Sequence, residues 1–382
     1  METVYVIGAL RSPIVVKNGR FRRIRPEEFG AEVVKELMRR CHLSSADGIL
    51  GGNAVGTGGN LTRLMALTAG LDASIPACTI DMQCASAAAA LSLAAAGISC
   101  GRGEVWIAGG MESASLQPLR VYAPQDARYG LTPDQKGTYR TAQFAPGDMA
   151  PDTMLRGAER TAQAEQVSRD ELDAWALRSH RRAAAAQRAG VMKEVIVPIN
   201  GWAKDDGIRP GISQRLLDRL PLIFGEGTTL HAGNACMIHD GAAFAVLASG
   251  SWVRRNRKKP LARIIGTAAV GGDPAESPRG AMRTADVLLK RLGLRYEDLS
   301  AIEFNEAFAV IDVLFERAHP SCLDRYNRFG GALAYGHPYG ASGAVLLIHL
   351  LQSLREAGGG KGILSIAGAG GMGEAIALEM ME

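Results

Sequence analysis

Two distant stretches of this chain share one pattern, in which a helix that starts on small residues is followed by a strand that ends in glycines. The first pairs CASAAAALSLAAAG with EVWIAGGM within 84–111, and the second pairs GASGAVLLIHLLQ with GILSIAGAGGM within 340–372. Two similar βαβ-type units can bury one face of each against the other. The repeat therefore predicts two related halves whose helix N-termini meet, with Cys84 next to the turn at 340–342.

Apolar runs of strand length alternate with segments of helical spacing, which predicts a layered α/β architecture with a mostly buried sheet. Predicted strands cover 3–9, 77–81, 104–109, 241–249, 261–270 and 299–308, and two more lie within 362–380. Predicted helices cover 26–40, 62–70, 85–98, 284–294 and 340–358.

A polar middle region interrupts this alternation. Residues 123–152 lack the periodicity of either element, and an amphipathic helix is predicted at 168–188. Long irregular segments inside a compact protein are usually functional or disordered. We therefore expect an inserted loop domain at 116–237, between an N-terminal half made of 1–115 and 238–259 and a C-terminal half at 260–382.

Charge and cysteine content argue against several classes of protein. The 382 residues carry a net charge of +4, which is too small to indicate a nucleic-acid partner. The six cysteines form no C-x-x-C pair, which argues against a metal site and a disulfide scaffold and favours a reducing compartment. The longest apolar run is shorter than the ~20 residues of a membrane span, and the N-terminus is typical of a strand rather than a signal peptide. We expect a cytoplasmic protein with no membrane partner.

Cys84 is a candidate nucleophile because it lies at the predicted start of a helix. The positive end of a helix dipole lowers the pKa of a nearby thiol, and the thiolate is the reactive form. A cysteine at the head of an alanine-rich run is also compatible with a purely structural role, since free cysteines are among the most buried residues.

His337 is the candidate base for this nucleophile. It lies between Gly336 and Pro338 in the glycine-rich segment RFGGALAYGHPYGASGA. Glycines of this kind let the backbone approach a ligand closely. The alternative is a histidine that is hydrogen-bonded within a turn and has no catalytic role.

Together, these motifs resemble those of the thiolases, which exchange acyl groups between coenzyme A thioesters by Claisen chemistry. The matching segments keep the family's order from residue 9 to residue 344: ALRSPIVVKNGRF, GGNLTRLMALTAGL, CASAAAA with AGGMESAS, TTLHAGNACMIHDGAA, FNEAFA and GGALAYGHPYGASGA. The resemblance implies a thiolase-like fold, in which two similar halves form a layered α/β/α/β/α core with an inserted loop domain. It also implies a homodimer or homotetramer.

The resemblance assigns catalytic roles to four positions. Cys84 would carry the acyl group as a thioester. His337 would accept the thiol proton and, with a water held by Asn305, would stabilise the thioester oxyanion. The backbone N–H groups of Cys84 and of the glycine turn near Gly368 would form a second oxyanion hole.

Three further positions would contact the substrate. Arg209 and Cys236 lie where the family contacts coenzyme A, and Cys236 replaces the usual serine. Met154 would lie in the loop that shapes the acyl pocket. Coenzyme A and acyl-CoA are implied as substrates, with no permanently bound cofactor.

The sequence departs from the family at the position of a second catalytic cysteine, which moves the α-proton of the acyl group. No cysteine follows Cys322, and either Ser365 or Ala367 takes its place. In addition, Phe329 and His239 stand where asparagine is usual.

Three hypotheses remain open. The chain is a thiolase that uses another base, for which His239 and Glu374 are candidates. Alternatively, it is a thiolase-fold acyltransferase or hydrolase that loads Cys84 but lacks efficient carbon–carbon chemistry. The third possibility is a non-catalytic subunit that binds acyl-CoA.

Overall fold

The computed structural model describes residues 2–147 and 152–381. The strands are β1 (Val4–Arg11), β2 (Val15–Val16), β3 (Gly48–Gly52), β4 (Ala77–Ile80), β5 (Val105–Glu112), β6 (Arg120–Val121), β7 (Thr138–Tyr139), β8 (His239–Ser249), β9 (Ala262–Val270), β10 (Ala301–Phe304), β11 (Lys361–Gly368) and β12 (Met372–Met380). The helices are α1 (Pro26–Cys41), α2 (Leu61–Thr68), α3 (Ser86–Ser99), α4 (Thr153–Ala164), α5 (Arg169–Ala189), α6 (Gln214–Leu217), α7 (Gly250–Arg255), α8 (Gly280–Leu292), α9 (Ala309–Ala318), α10 (Ala332–Tyr335) and α11 (Ser342–Glu356).

The main sheet contains the same strand arrangement twice. Its order is β10-β11-β12-β9-β1-β8-β5-β3-β4, with β2 beside β8. In the first half, β3 and β5 are parallel, whereas the β5–β8 and β8–β1 pairs are antiparallel. In the second half, β10 and β11 are parallel, whereas the β11–β12 and β12–β9 pairs are antiparallel. The halves join edge to edge through β1 and β9, so the predicted internal repeat is present in the topology.

Alternation along the strands separates three apolar layers. In β5, Trp106 and Ala108 face the central cluster with α3 and α11, whereas Val105 and Ile107 face the cluster with α1 and α2. In the second half, the outer cluster contains α8 and α9. A strand with both faces buried is apolar along most of its length, and each residue of β5 and β8 is buried, with polar residues only at the ends of the strands. The predicted α/β/α/β/α layering is confirmed.

Glycines let the two central helices approach closely. A Cβ atom at Gly343 of α11 would lie 2.3 Å from the backbone nitrogen of Ala88 in α3. Similarly, Cβ atoms at Gly52 and Gly110 would lie 2.2 and 2.0 Å from the carbonyl oxygen of Gly340. Only glycine fits such contacts. As predicted, the N-terminal ends of α3 and α11 meet.

The middle region packs beside the second half. Helices α4 and α5 contribute Ala158, Ala162, Leu172 and Trp175 to the outer apolar cluster of that half. Residues 148–151, within the stretch predicted to be irregular, lie outside the described residues. The division of the chain at 115, 237 and 259 stays a prediction. Within 2–147 and 152–381, none of the helices combines the length and apolar character required to cross a membrane.

Candidate active site

One cavity of about 440 Å³ brings most of the predicted site residues together. Its lining includes Cys84, Cys236, His337 and Met154, together with Ala367 from the glycine turn. Met154 lies in the first turn of α4 rather than in a loop, so that part of the prediction is wrong. Four of the seven predicted site residues therefore share this cavity.

The backbone before α3 turns sharply at Cys84. Gln83, the preceding residue, has a φ of +53°, which is uncommon for a residue with a side chain. Hydrogen bonds hold this turn: the N–H of Gln83 donates to Asp81 Oδ1 at 2.9 Å, and the N–H of Met82 donates to Ser86 Oγ at 2.9 Å. The thiol is thereby fixed at the cavity wall, where it remains partly exposed.

The environment of Cys84 favours the thiol over the thiolate. Burial, together with the negative charges of Glu112 and Asp81, raises the pKa of Cys84 to about 12. The predicted lowering of this pKa is therefore wrong. The physical reason is that desolvation disfavours the charged form, and Cys84 precedes the N-cap residue, Ala85, instead of lying within the helix. A base is required to remove the proton during nucleophilic attack.

His337 provides a neutral imidazole with a defined tautomer. Its Nδ1 lies 2.5 Å from Ser342 Oγ, and this hydroxyl donates to the carbonyl of Pro338 at 3.0 Å. Nδ1 then carries the hydrogen, which leaves Nε2 as the nitrogen whose lone pair can accept a proton. Burial, with a contribution from His239, lowers the pKa of His337 to about 3, so the ring is uncharged at neutral pH.

Asn305 is positioned against this imidazole. It directly follows β10 and is buried, and its Nδ2 lies 3.3 Å from His337 Nε2. Its backbone N–H donates to the backbone carbonyl of Ser365 at 3.0 Å, and its own carbonyl accepts from the N–H of Ala307 at 2.8 Å. These two bonds fix the backbone of Asn305, from which its side-chain amide reaches the proton-accepting nitrogen.

Glu112 is a buried residue of this site that sequence analysis missed. Its carboxylate accepts hydrogen bonds from Asn53 Nδ2 at 2.8 Å and from the N–H groups of Ala54 and Gly340 at 2.8 and 2.9 Å. Burial raises its pKa to about 7 although these donors oppose the shift. Glu112 therefore connects a loop of the first half to the turn before α11. The predicted strand at 104–109 stopped short of this residue.

Three cations near the cavity were also missed. Lys17, Arg120 and Arg140 line it, and Arg120 donates to the carbonyl of Gly56 at 2.6 Å. Cations around an apolar cavity suit a long anionic ligand. By contrast, Arg209 is exposed and is absent from the cavity lining among residues 2–147 and 152–381.

The glycine turn approaches the start of α3. A Cβ atom at Gly368 would lie 3.1 Å from the carbonyl of Met82 and 3.5 Å from the side chain of Ala85, so Gly368 is next to the Cys84 turn. The residues on either side of Gly368, Ala367 and Ala369, line the cavity. The oxyanion-hole role of Gly368 stays a prediction.

The structure distinguishes between the two candidate positions for the missing cysteine. Ser365 is fully buried and donates to the carbonyl of Ala281 in α8 at 2.7 Å. Ala367, two residues along the same strand, lines the cavity. Of the two candidate positions, Ala367 is therefore the one that faces the cavity, and an alanine has no titratable group.

Neither candidate for a substitute base reaches the cavity. The ring of His239 packs against Gly336, and its Nδ1 lies 2.8 Å from the carbonyl of Met237. The carboxyl of Glu374 interacts with Ser92 of α3 in the central layer. Of the described residues, neither belongs to the cavity lining, so the prediction of these two candidates is not supported by their positions.

No group of three or more His, Cys, Asp or Glu side chains within the described ranges is arranged to hold a metal ion.

A family model described as the thiolase N-terminal domain matches residues 4–251, and one described as the thiolase C-terminal domain matches residues 258–380. This chain belongs to the thiolase family. The sequence-based assignment of the family is confirmed.

Similar proteins support this family over the full length of the chain. A putative acetyl-CoA C-acetyltransferase VraB of Staphylococcus haemolyticus is 34% identical and covers 99% of each chain. A beta-ketoadipyl-CoA thiolase of Pseudomonas putida is also 34% identical, and the match spans 99% of this thiolase and 100% of the Pseudomonas protein. The crystal structure of Bacillus anthracis acetyl-CoA acetyltransferase has 28% identity and a TM-score of 0.90, with coverage of 100% and 99%.

Proposed function

We propose that this thiolase is an acyl-CoA C-acyltransferase that forms an acyl thioester on Cys84. The reaction is Claisen condensation of acetyl-CoA or thiolysis of a 3-ketoacyl-CoA. The observation that carries this proposal is the presence of a protonated thiol, Cys84, in the same cavity as a neutral imidazole, His337. A nucleophile and its base in one cavity are the minimum set for acyl transfer.

Acyl loading follows from this arrangement. His337 Nε2 accepts the proton of Cys84 as the sulfur attacks the thioester carbonyl of acyl-CoA. The resulting oxyanion receives hydrogen bonds from the backbone N–H groups of Cys84 and of the turn near Gly368, an interaction worth ~3 kcal/mol for each donor. The intermediate then collapses, the coenzyme A thiolate leaves, and it recovers the proton from His337. Asn305 holds the water that, with His337, stabilises the acyl-enzyme carbonyl.

Substrate binding is assigned to the inserted region and the cavity rim. Lys17, Arg120 and Arg140 are placed to attract the anionic part of coenzyme A, and Met154 limits the acyl end. Cys236 contacts the substrate inside the cavity. Arg209, which is exposed, contacts coenzyme A from outside the cavity.

A thiolase-fold acyltransferase or hydrolase is the second candidate function. The observation that favours it is Ala367, which lines the cavity where the family has its second acid–base cysteine. Positioned acid–base groups contribute about 10²–10⁴-fold to rate, so their loss would slow carbon–carbon chemistry without preventing acyl loading. A non-catalytic subunit has no such observation in its favour.

Intact mass after incubation with acetyl-CoA tests the proposed function. One acetyl group should be added to the protein, and Cys84→Ala should abolish the adduct, whereas Cys78→Ala, at an exposed position, should keep it. An adduct that persists in Cys84→Ala would overturn the proposal. Formation of acetyl-CoA from acetoacetyl-CoA and coenzyme A then separates the thiolase from the second candidate.

We also propose a role in fatty acid metabolism for a cytoplasmic homodimer or homotetramer with no permanent cofactor. Light scattering on the purified protein measures the assembly. A monomer at micromolar concentration would contradict the oligomer.

A further inference from the structure

Carbon–carbon chemistry needs a second proton-transfer group beside the nucleophile. When a 3-ketoacyl chain is cleaved, the departing acetyl-CoA is a carbanion that must be protonated. Ala367 cannot do this, and His239 and Glu374 do not line the cavity. If the proposed thiolase function is correct, the group must therefore be found elsewhere in the lining.

Few titratable side chains face the cavity. Those in its described lining are Lys17, Cys84, Arg120, Arg140, Asp152, Cys236, His337 and Tyr339. Cys84 and His337 are used in acyl loading, and the three cations suit an anionic ligand. Asp152 forms an ion pair with Arg156 at 2.8 Å. Only Cys236 and Tyr339 remain.

The backbone of Cys236 lies between the two parts of the site that carry Asn305 and His337. Its N–H donates to the carbonyl of Ala307 at 2.9 Å. On the other side, the carbonyl of Met237 accepts from the N–H of His337 at 3.0 Å. Both connections are backbone hydrogen bonds, so the side chain of Cys236 starts from a fixed position within the site and is partly exposed to the cavity.

We propose that Cys236 is the second catalytic acid–base group, which replaces the cysteine missing at Ala367. Cys236 and Ala367 line the same cavity, so a thiol at position 236 faces the space that a thiol at position 367 would also face. The serine that the family usually has at this position carries a hydroxyl, which is a much weaker acid than a thiol, whose ordinary pKa is 9.0. The change to cysteine therefore supplies the chemistry that the change to alanine removes.

In the thiolysis direction the steps balance as follows. The Cys84 sulfur attacks the 3-keto carbon as its proton moves to His337 Nε2, and cleavage of the C2–C3 bond gives acyl-Cys84 and the acetyl-CoA carbanion. Cys236 donates its thiol proton to C2, which releases acetyl-CoA and leaves a Cys236 thiolate. This thiolate takes the proton of the incoming coenzyme A thiol as that sulfur attacks the acyl group. Cys84 leaves and recovers its proton from His337.

The electrostatics of the cavity are consistent with an acid at this position. Burial and the neighbouring Cys84 raise the pKa of Cys236, so it holds its proton at neutral pH until a strongly basic carbanion forms next to it. Burial also raises the pKa of Tyr339, so the two groups are distinguished by their positions and not by their pKa shifts. The ring of Tyr339 packs edge-on against His337, with 4.7 Å between the two ring centroids.

Two rates measured on the same protein test this role. Acetoacetyl-CoA thiolysis in Cys236→Ala should fall about 10²–10⁴-fold relative to acetylation of Cys84 measured by intact mass. Exchange of the acetyl-CoA methyl protons in deuterated buffer should fall with thiolysis. Cys236→Ser, which preserves side-chain size, should show the same split, and Cys78→Ala should change neither rate.

A rescue variant keeps the proposal falsifiable if Cys236→Ala loses stability. The double variant Cys236→Ala with Ala367→Cys should regain thiolysis, because it returns a thiol to the cavity. If Cys236→Ala or Cys236→Ser keeps the wild-type ratio of thiolysis to acetylation, the inference is overturned although acyl transfer stands. A wild-type protein that acetylates Cys84 but does not cleave acetoacetyl-CoA also overturns it. Failure to acetylate Cys84 refutes the proposed function itself.

Discussion

Ser342 Oγ lies 2.5 Å from Nδ1 of His337 and donates its own hydrogen to Pro338 at 3.0 Å. Because the hydroxyl hydrogen is committed to the carbonyl, the serine oxygen can only accept from the imidazole. This hydrogen bond places the ring hydrogen on Nδ1 and directs the lone pair of Nε2 away from Ser342. A buried serine thus determines which nitrogen of His337 can act as a base.

Replacing this serine should slow acyl loading. In Ser342→Ala, Nδ1 loses its buried partner, which costs ~1–3 kcal/mol and corresponds to roughly 5- to 160-fold in rate. We expect slower single-turnover acetylation of Cys84 and altered ¹⁵N chemical shifts of His337. Ser342→Thr, which keeps the hydroxyl, should restore both.

Ser353→Ala is the matched control on the same helix. Its hydroxyl is also buried, but it donates to Glu303 at 2.6 Å and has no contact with His337. This variant should keep the acetylation rate and the ¹⁵N shifts. Equal losses of rate in Ser342→Ala and Ser353→Ala would indicate a general effect of cavities in α11 and would contradict the role of Ser342.

The raised pKa of Cys84 should be visible in alkylation by iodoacetamide. Only the thiolate reacts, and its pKa is raised from 9.0 to about 12 by burial. The rate at Cys84 should therefore rise about tenfold for each pH unit and show no plateau near the ordinary thiol pKa of 9.0. Site-resolved mass spectrometry measures this rate, with Cys84→Ala to assign the peptide. A plateau below neutral pH would mean that a stable thiolate exists and that the burial argument is wrong.

Local sequence patterns were sufficient for much of the fold. Helix α3 covers Ser86–Ser99 where 85–98 was predicted, and α11 covers Ser342–Glu356 within the predicted 340–358. Both segments are apolar runs longer than an ordinary strand, and this length is visible in the sequence without knowledge of distant contacts, which is why these predictions succeed. Strand β3 was missed because its five residues, Gly48–Gly52, include three glycines. Its pairing with β4 and β5, rather than its own propensity, makes it a strand.

The site residues also divide into those that local sequence motifs predict and those that depend on distant contacts. Cys84, Asn305 and His337 were found because short motifs carry them. The pKa of Cys84 was predicted in the wrong direction because burial is created by the whole fold. Glu112 was missed because its partner, Gly340, is 228 residues away in sequence, and no local pattern reports such a contact.

The buried carboxyl of Glu112 should make stability depend on pH. Burial raises its pKa in the folded state from 4.5 to about 7, so the folded state binds this proton more tightly than the unfolded state. The tighter proton binding at Glu112 stabilises the folded state fully below about pH 4.5, and this stabilisation is lost as the pH rises through about 7. In Glu112→Gln, the decrease in the free energy of unfolding over this window should be smaller by up to about 3 kcal/mol.

Urea denaturation across this pH range measures the difference. The exposed carboxyl of Glu297 provides the control, and Glu297→Gln should leave the slope unchanged. If the free energy of unfolding changes with pH equally in the wild type and in Glu112→Gln, Glu112 is already ionised in the folded protein over this range.

The contact between α3 and α11 should be the least tolerant of added volume. In Gly343→Ala, the new Cβ would lie 2.3 Å from the nitrogen and 2.8 Å from the Cα of Ala88, and these backbone atoms cannot move without shifting a helix. Overpacking costs ~1–3 kcal/mol, so the free energy of unfolding in urea should fall by about this amount. Because α3 follows Cys84 and α11 follows His337, acetylation should also slow, by up to about 10²-fold for a displacement near 1 Å.

Gly97→Ala, in the same helix as Ala88, is the matched control. A Cβ atom at Gly97 would lie 4.0 Å from its nearest neighbour, Arg102, so this variant should stabilise the protein by ~1 kcal/mol through helix propensity. If both variants are stabilised, the two helices do not approach as closely as this arrangement requires.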